Sequence, residues 1–170
     1  WQWKIPHDSK FPGGLESWKQ FFPEAVNYGI SGDKIEHLLW RIAEGKNLDG
    51  CRFGTIVLMI GTNNIIQSKK FPQTPERIAH GIGQVVLEIR KKQPDSKILL
   101  LSVPPLSMDG AERDRMPERI NPLIAKIADG KQVFFLDVTS CFREKDNKVK
   151  NLRDGVHPSP EGYAAMGRII

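Results

Sequence analysis

Three unbroken apolar runs stand out along the chain: TIVLMIG at 55–61, KILLLSV at 97–103 and QVFFLDV at 132–138. Each is of strand length, rich in β-branched or aromatic residues and without polar alternation, as expected of strands covered on both faces. A shorter run, AVNYG at 25–29, is read as a further strand. Between these runs the apolar period changes from continuous to helical. Ile35, Leu38, Leu39 and Ile42 fall on one helix face, with Asp33 and Glu36 spaced as a capping box. Thr74-Pro75 starts a second helix that carries Ile78, Ile82, Val85 and Ile89. ERINPLIAKIADG at 118–130 predicts a third, and a last helix starts near Pro160 and runs into GYAAMGRII. Strands of the buried type alternating with helices predict a parallel α/β sandwich.

The 170 residues suffice for one domain with its own core, and 39% hydrophobic with 26% charged residues place the chain among globular proteins. No run approaches the length that spans a bilayer, so membrane insertion is not expected. The net charge of +5 does not form a nucleic-acid stripe, because basic and acidic residues interleave, as in REKDNKVKNLRD. Nucleic acid is therefore not expected as a partner. Cys51 and Cys141 are too few and too far apart for a disulfide framework or a zinc site, and no metal-ligating pattern appears elsewhere.

In parallel α/β folds, sites form in the loops beyond the carboxyl ends of the strands. Four loops qualify: GISGD at 29–33, GTNN at 61–64, PPLS at 104–107 and RDGVHP at 153–158. Each has a plain structural explanation when taken alone. GISGD suits a tight turn into a capped helix, GTNN a turn satisfied by its Asn side chains, and DGVH a turn with a surface histidine. His7, His37 and His80 are read as surface or helix residues, since no HExxH spacing occurs.

Together and in this order, NYGISGD, IGTNN and DGVHPSPEGY resemble the SGNH/GDSL hydrolase family. GISGDKIEHLLWRI followed by VLMIGTNN is similar to the branch holding the platelet-activating-factor acetylhydrolase catalytic subunits and bacterial acyl (acetyl) esterases. The resemblance runs from about Gly14 to the end of the chain. It implies a flavodoxin-like three-layer α/β/α sandwich with a mainly parallel sheet, and a serine esterase acting on small acyl esters through an acyl-enzyme. It also implies residue roles. His157 is the general base and Asp154 the carboxylate that fixes its tautomer, and a three-residue spacing lets one loop supply both. The Gly32 backbone N–H and the Asn63 side-chain amide are the oxyanion donors, with Asn64 the weaker choice.

The family's first block, a buried strand ending in Gly-Asp-Ser, has only a partial counterpart in KIPHDSK, where His7 stands in place of the glycine. Ser9 is the nucleophile candidate there. Pro12, Gly13 and Gly14 read as helix breakers just after it, and Pro6 interrupts the strand before it. The alternative is that the nucleophile block lies upstream of Trp1. The expectation is thus a single domain over residues 1–170, trimmed at both ends. The implied chemistry needs no cofactor and no metal. A small-molecule or carbohydrate ester, such as an O-acetylated sugar, is the expected substrate. A non-catalytic ligand-binding domain on the same scaffold is the competing expectation. A flavodoxin-like phosphate binder is disfavoured, because no Gly-rich phosphate cradle exists.

Overall fold

The sheet of the computed structural model is built from the three apolar runs: β1 (Thr55–Leu58), β2 (Lys97–Leu101) and β3 (Val133–Leu136). The structure describes residues 2–4, 10, 12–67, 73–108 and 112–170. These fall into two compact units, one holding Asp33–Val103 and Arg115–Asp137, the other the N-terminal segment to Gly32, Pro104–Asp114 and Val138–Ile170.

The first of these units contains the sheet. Its order is β1-β2-β3 and both ladders are parallel, in register from Thr55 against Lys97 and from Ile98 against Val133. Parallel neighbours need long crossovers, and helices supply them. Between β1 and β2 lie α3 (Thr62–Ile66) and α4 (Pro75–Lys92), and between β2 and β3 lies α5 (Met116–Ala125). With α2 (Ile35–Ala43) these form the helical part of the unit, α4 packing on both α2 and α5. The α4 stripe Ile78, Ile82, Val85, Val86 and Ile89 is fully buried. Each such side chain contributes about 1.5–3 kcal/mol relative to an exposed one. The Thr74 hydroxyl accepts the Arg77 N–H at the start of α4, with Pro75 in the first turn, as the sequence predicts.

The expected α/β architecture with a parallel sheet flanked by helices is therefore present. Three local expectations change. First, full cover holds for one face of the middle strand β2, where Ile98 and Leu100 are buried, while Leu99 on the other face is half-buried and Lys97 is exposed. Val57 of β1 is 46% exposed and Phe134 of β3 is 39% exposed, both in the outer strands of the described three-stranded sheet. Second, no strand forms at 25–29. Val26 is 66% exposed, and the Asn27 side chain accepts the Gly29 N–H at 2.8 Å, a local turn that competes with extended pairing. Third, Asp33 and Glu36 do not make a capping box on α2. Lys34 is the N-cap residue, its N–H is taken by the His37 Nδ1, and Asp33 instead pairs with Arg41.

The other unit is organised around helix α1 (Leu15–Phe21) and helix α6 (Pro160–Gly167), which pack together. Pro12, Gly13 and Gly14 do not prevent a helix from starting: α1 begins directly after Gly14, its N-cap. A side chain at position 14 would lie 2.5 Å from the ring of Tyr163, so only glycine lets the chain approach so closely. Trp3, Trp18, Phe22 and Tyr163 form an aromatic cluster, with the Trp3 and Tyr163 ring centroids 4.6 Å apart.

Candidate active site

The loop 152–158 is held shut before it carries any chemistry. Leu152 and Pro158 form an antiparallel bridge, the Arg153 N–H donates to the His157 carbonyl at 2.8 Å, and the Ser159 N–H donates to the Asn151 carbonyl at 2.8 Å. Ser159 also caps α6 by accepting the Gly162 N–H. Gly155 sits at φ +79°, and a Cβ there would fall 2.1 Å from the Ser107 carbonyl oxygen. Its own carbonyl accepts the Ser107 N–H at 2.8 Å. Glycine is thus required twice over, by conformation and by space. The Ser107 contact gives PPLS at 104–107 a bracing role that its composition did not reveal.

Inside this frame Asp154 and His157 meet. One carboxylate oxygen of Asp154 accepts the backbone N–H groups of Val156 (3.1 Å) and His157 (2.8 Å), and the other lies 2.8 Å from His157 Nδ1. Burial pushes the Asp154 carboxyl up, but the His157 backbone N–H and imidazole outweigh it, and the group lies below its ordinary value. An ionised carboxylate only accepts, so the Nδ1 carries the hydrogen, and in the neutral ring Nε2 then carries the lone pair. That is the tautomer of a general base.

The two asparagines of GTNN have separate duties. Gly61, the N-cap of α3, has φ +119° and turns the chain into that helix. Asn63 donates its amide to the Asp33 carbonyl at 2.8 Å, and its oxygen accepts from Gln67 at 3.2 Å. One amide hydrogen of the NH₂ group remains beyond the Asp33 bond. Asn64 is buried; it accepts the Ile35 N–H at 3.0 Å and donates to Glu36 at 2.9 Å. Asn64 therefore caps α2. Gly32 lies in an exposed turn at φ +80° with open space around its α-carbon. Ser9 lies outside the described residues. Arg153, beside Asp154, was not singled out in the sequence, although its charge next to DGVH was the available signal. Among the described residues, no cluster of three or more His, Cys, Asp or Glu is placed to hold a metal ion, and no helix is long and apolar enough to cross a membrane.

The sequence model of the GDSL-like lipase/acylhydrolase family matches residues 9–165, most of the chain. The chain belongs to this family. Within it, the chain is 29% identical over 160 residues to the platelet-activating factor acetylhydrolase IB subunit alpha1 of Pongo abelii, covering 91% of this chain and 66% of that one. It is 31% identical over 159 residues to subunit alpha2 of Rattus norvegicus, covering 89% and 65%. The chain thus spans just under two thirds of the length of these relatives. Its fold is shared with an acetylxylan esterase from Geobacillus stearothermophilus (TM-score 0.66, 20% identity, 96% of this chain and 81% of that one). It is shared also with a carbohydrate acetylesterase from Sinorhizobium meliloti (TM-score 0.57, 23% identity, 79% and 64%). The GDSL-like family and α/β fold implied by the motif order are those found.

Proposed function

We propose that this GDSL-like chain hydrolyses small acyl esters, acetyl esters of carbohydrates in particular, through an acyl-enzyme. The observation that carries the proposal is the Asp154–His157 pair, with the imidazole at 2.8 Å from a carboxylate that its own loop holds in place. The Nε2 of His157 takes the proton of a serine hydroxyl as the oxygen attacks the ester carbonyl, and the imidazolium is stabilised by Asp154. As the tetrahedral intermediate collapses, the same proton passes to the leaving alkoxide. Water then repeats the sequence on the acyl-enzyme and releases the acid. Gly32 N–H and the Asn63 amide are the proposed donors to the oxyanion, and Ser9 is the nucleophile candidate within the chain.

Support for the roles comes from the relatives. The Geobacillus acetylxylan esterase structures include catalytic mutants of one serine, one aspartate and one histidine, the last two three positions apart. Asp154 and His157 have that spacing. The carbohydrate preference rests on that esterase and the Sinorhizobium carbohydrate acetylesterase. The test is acetate release from acetylated xylo-oligosaccharide and from p-nitrophenyl acetate by the native chain and by His157→Ala. The proposal expects turnover that falls by on the order of 10³ or more in the variant. Unchanged turnover in His157→Ala contradicts it, and binding of the acetylated sugar with no turnover favours the non-catalytic domain.

A further inference from the structure

The loop that carries the acid–base pair holds a third charged group. The Arg153 side chain is only 17% exposed. One guanidinium nitrogen, Nη1, donates to the Pro12 carbonyl at 2.9 Å. The other, Nη2, lies 3.6 Å from Asp154 Oδ2, the same oxygen that faces His157 Nδ1 at 2.8 Å. The Arg153 backbone meanwhile bonds to the His157 carbonyl at 2.8 Å. One residue thus touches both members of the pair and moors them to the segment just ahead of α1.

We propose that Arg153 is a positioning residue for the pair: moored on Pro12, its guanidinium shares the Asp154 carboxylate with His157 and keeps the imidazole neutral at lower pH than an unshared carboxylate would allow. This rests on the reading of Asp154 and His157 as acid and base. The physical reason is a three-body balance. A carboxylate that faces only an imidazole strongly favours the imidazolium, whereas a fixed cation on the same oxygen offsets part of that attraction. Arginine suits the position, because one arm of its planar fork hydrogen-bonds the Pro12 carbonyl while the other stands as an ion-pair partner 3.6 Å from Asp154 Oδ2, and its charge does not titrate.

Two further titratable groups sit on segments of this unit that pack near the loop. Tyr163 on α6 is buried, and burial raises its hydroxyl far above the ordinary value, a rise that the Arg153 charge opposes and Asp154 adds to, so it stays neutral. Asp114 accepts the Met108 N–H, on the segment packed against Gly155. Among the described residues, the Arg153 guanidinium and the His157 imidazole both face Asp154 Oδ2, at 3.6 and 2.8 Å.

The experiment is an NMR titration of the His157 ring in the native chain, Arg153→Gln, Arg153→Lys and Asp154→Asn. A tether with no electrostatic role leaves the His157 midpoint unmoved. The proposal expects the Arg153→Gln midpoint to rise by about half a pH unit, trimmed to that size by solvent at the part-exposed pair. Arg153→Lys keeps charge and length but cannot hold both acceptors, so its midpoint rises by less, and it serves if the glutamine variant does not fold. Asp154→Asn lowers the midpoint. In turnover, the acid limb of kcat/KM for p-nitrophenyl acetate follows the Arg153→Gln shift with KM unchanged. If neither Arg153 variant raises the midpoint while Asp154→Asn lowers it, the role of Arg153 is overturned and the pair stands. If Asp154→Asn leaves the midpoint unchanged, the reading of the pair itself fails.

Discussion

Asp154 grips His157 at two points, taking its backbone N–H with one carboxylate oxygen and facing its imidazole Nδ1 with the other, each at 2.8 Å. The backbone contact fixes where the histidine starts, and the side-chain contact fixes how its ring is turned and protonated. Asparagine in place of Asp154 preserves the first, because its carbonyl oxygen still accepts. It loses the second, because a neutral amide neither stabilises the imidazolium nor enforces the tautomer. Asp154→Asn is therefore expected to fold normally and to lose on the order of 10²–10⁴ in kcat. Steady-state hydrolysis of p-nitrophenyl acetate beside a thermal melt checks both halves.

Asn63 and Asn64 are expected to separate by type of defect. Asn63→Ala removes a proposed oxyanion donor and lowers kcat by on the order of 10²–10³. Asn64→Ala strands the Ile35 N–H at the start of α2, and stability falls by about 1–3 kcal/mol. Urea unfolding and turnover of both variants distinguish them. Equal loss of stability in the two would contradict the division of labour.

Gly155→Ala places a methyl group against the Ser107 carbonyl and forces a side chain to φ +79°. Stability is expected to drop by about 1–3 kcal/mol. Activity falls with it, since the loop that aligns Asp154 and His157 must move. Gly130→Ala, also at positive φ but with open space around it, carries the conformational cost without the collision. Denaturant midpoints of the pair of variants isolate the steric part.

Acid stability has an identifiable contributor away from the site. Asp129 accepts the N–H groups of Val133, Lys131 and Gln132 at the entry to β3, and these bonds, the Val133 one first, hold its carboxyl well below the ordinary value. A lowered folded value means that this stabilisation is complete above the ordinary carboxylate range and is lost as pH falls toward the folded value. Asp129→Asn is expected to flatten the rise of stability with pH below about pH 4. Chemical unfolding measured between strong acid and neutrality tests the slope, and an unchanged slope contradicts it.

Much of this arrangement was legible because its elements depend on local chemistry. The unbroken run KILLLSV could only be a covered strand, and Thr74-Pro75 with Ile78, Ile82, Val85 and Ile89 could only be a helix on a core. The three-residue spacing of DGVH lets one loop place a carboxylate beside an imidazole, and the proposed roles of the two come from the family resemblance. What the sequence did not reveal depends on partners distant in the chain. Whether AVNYG pairs as a strand is decided by whether another strand lies beside it, and Asn27 turns it locally instead. The start of α2 is capped not by Asp33 but by Asn64, 29 positions on from Ile35. The use of Ser107 to brace Gly155 and of Pro12 to hold Arg153 has no local signature either.

The central claim, that His157 activates a serine for acyl transfer, is tested most directly by intact-mass analysis after incubation with a fluorophosphonate, with peptide mapping of the adduct. The account predicts one serine adduct in the native chain and labelling slowed by on the order of 10² or more in His157→Ala. Labelling at equal rates in both proteins, or no adduct in a native chain shown to be folded, would contradict it.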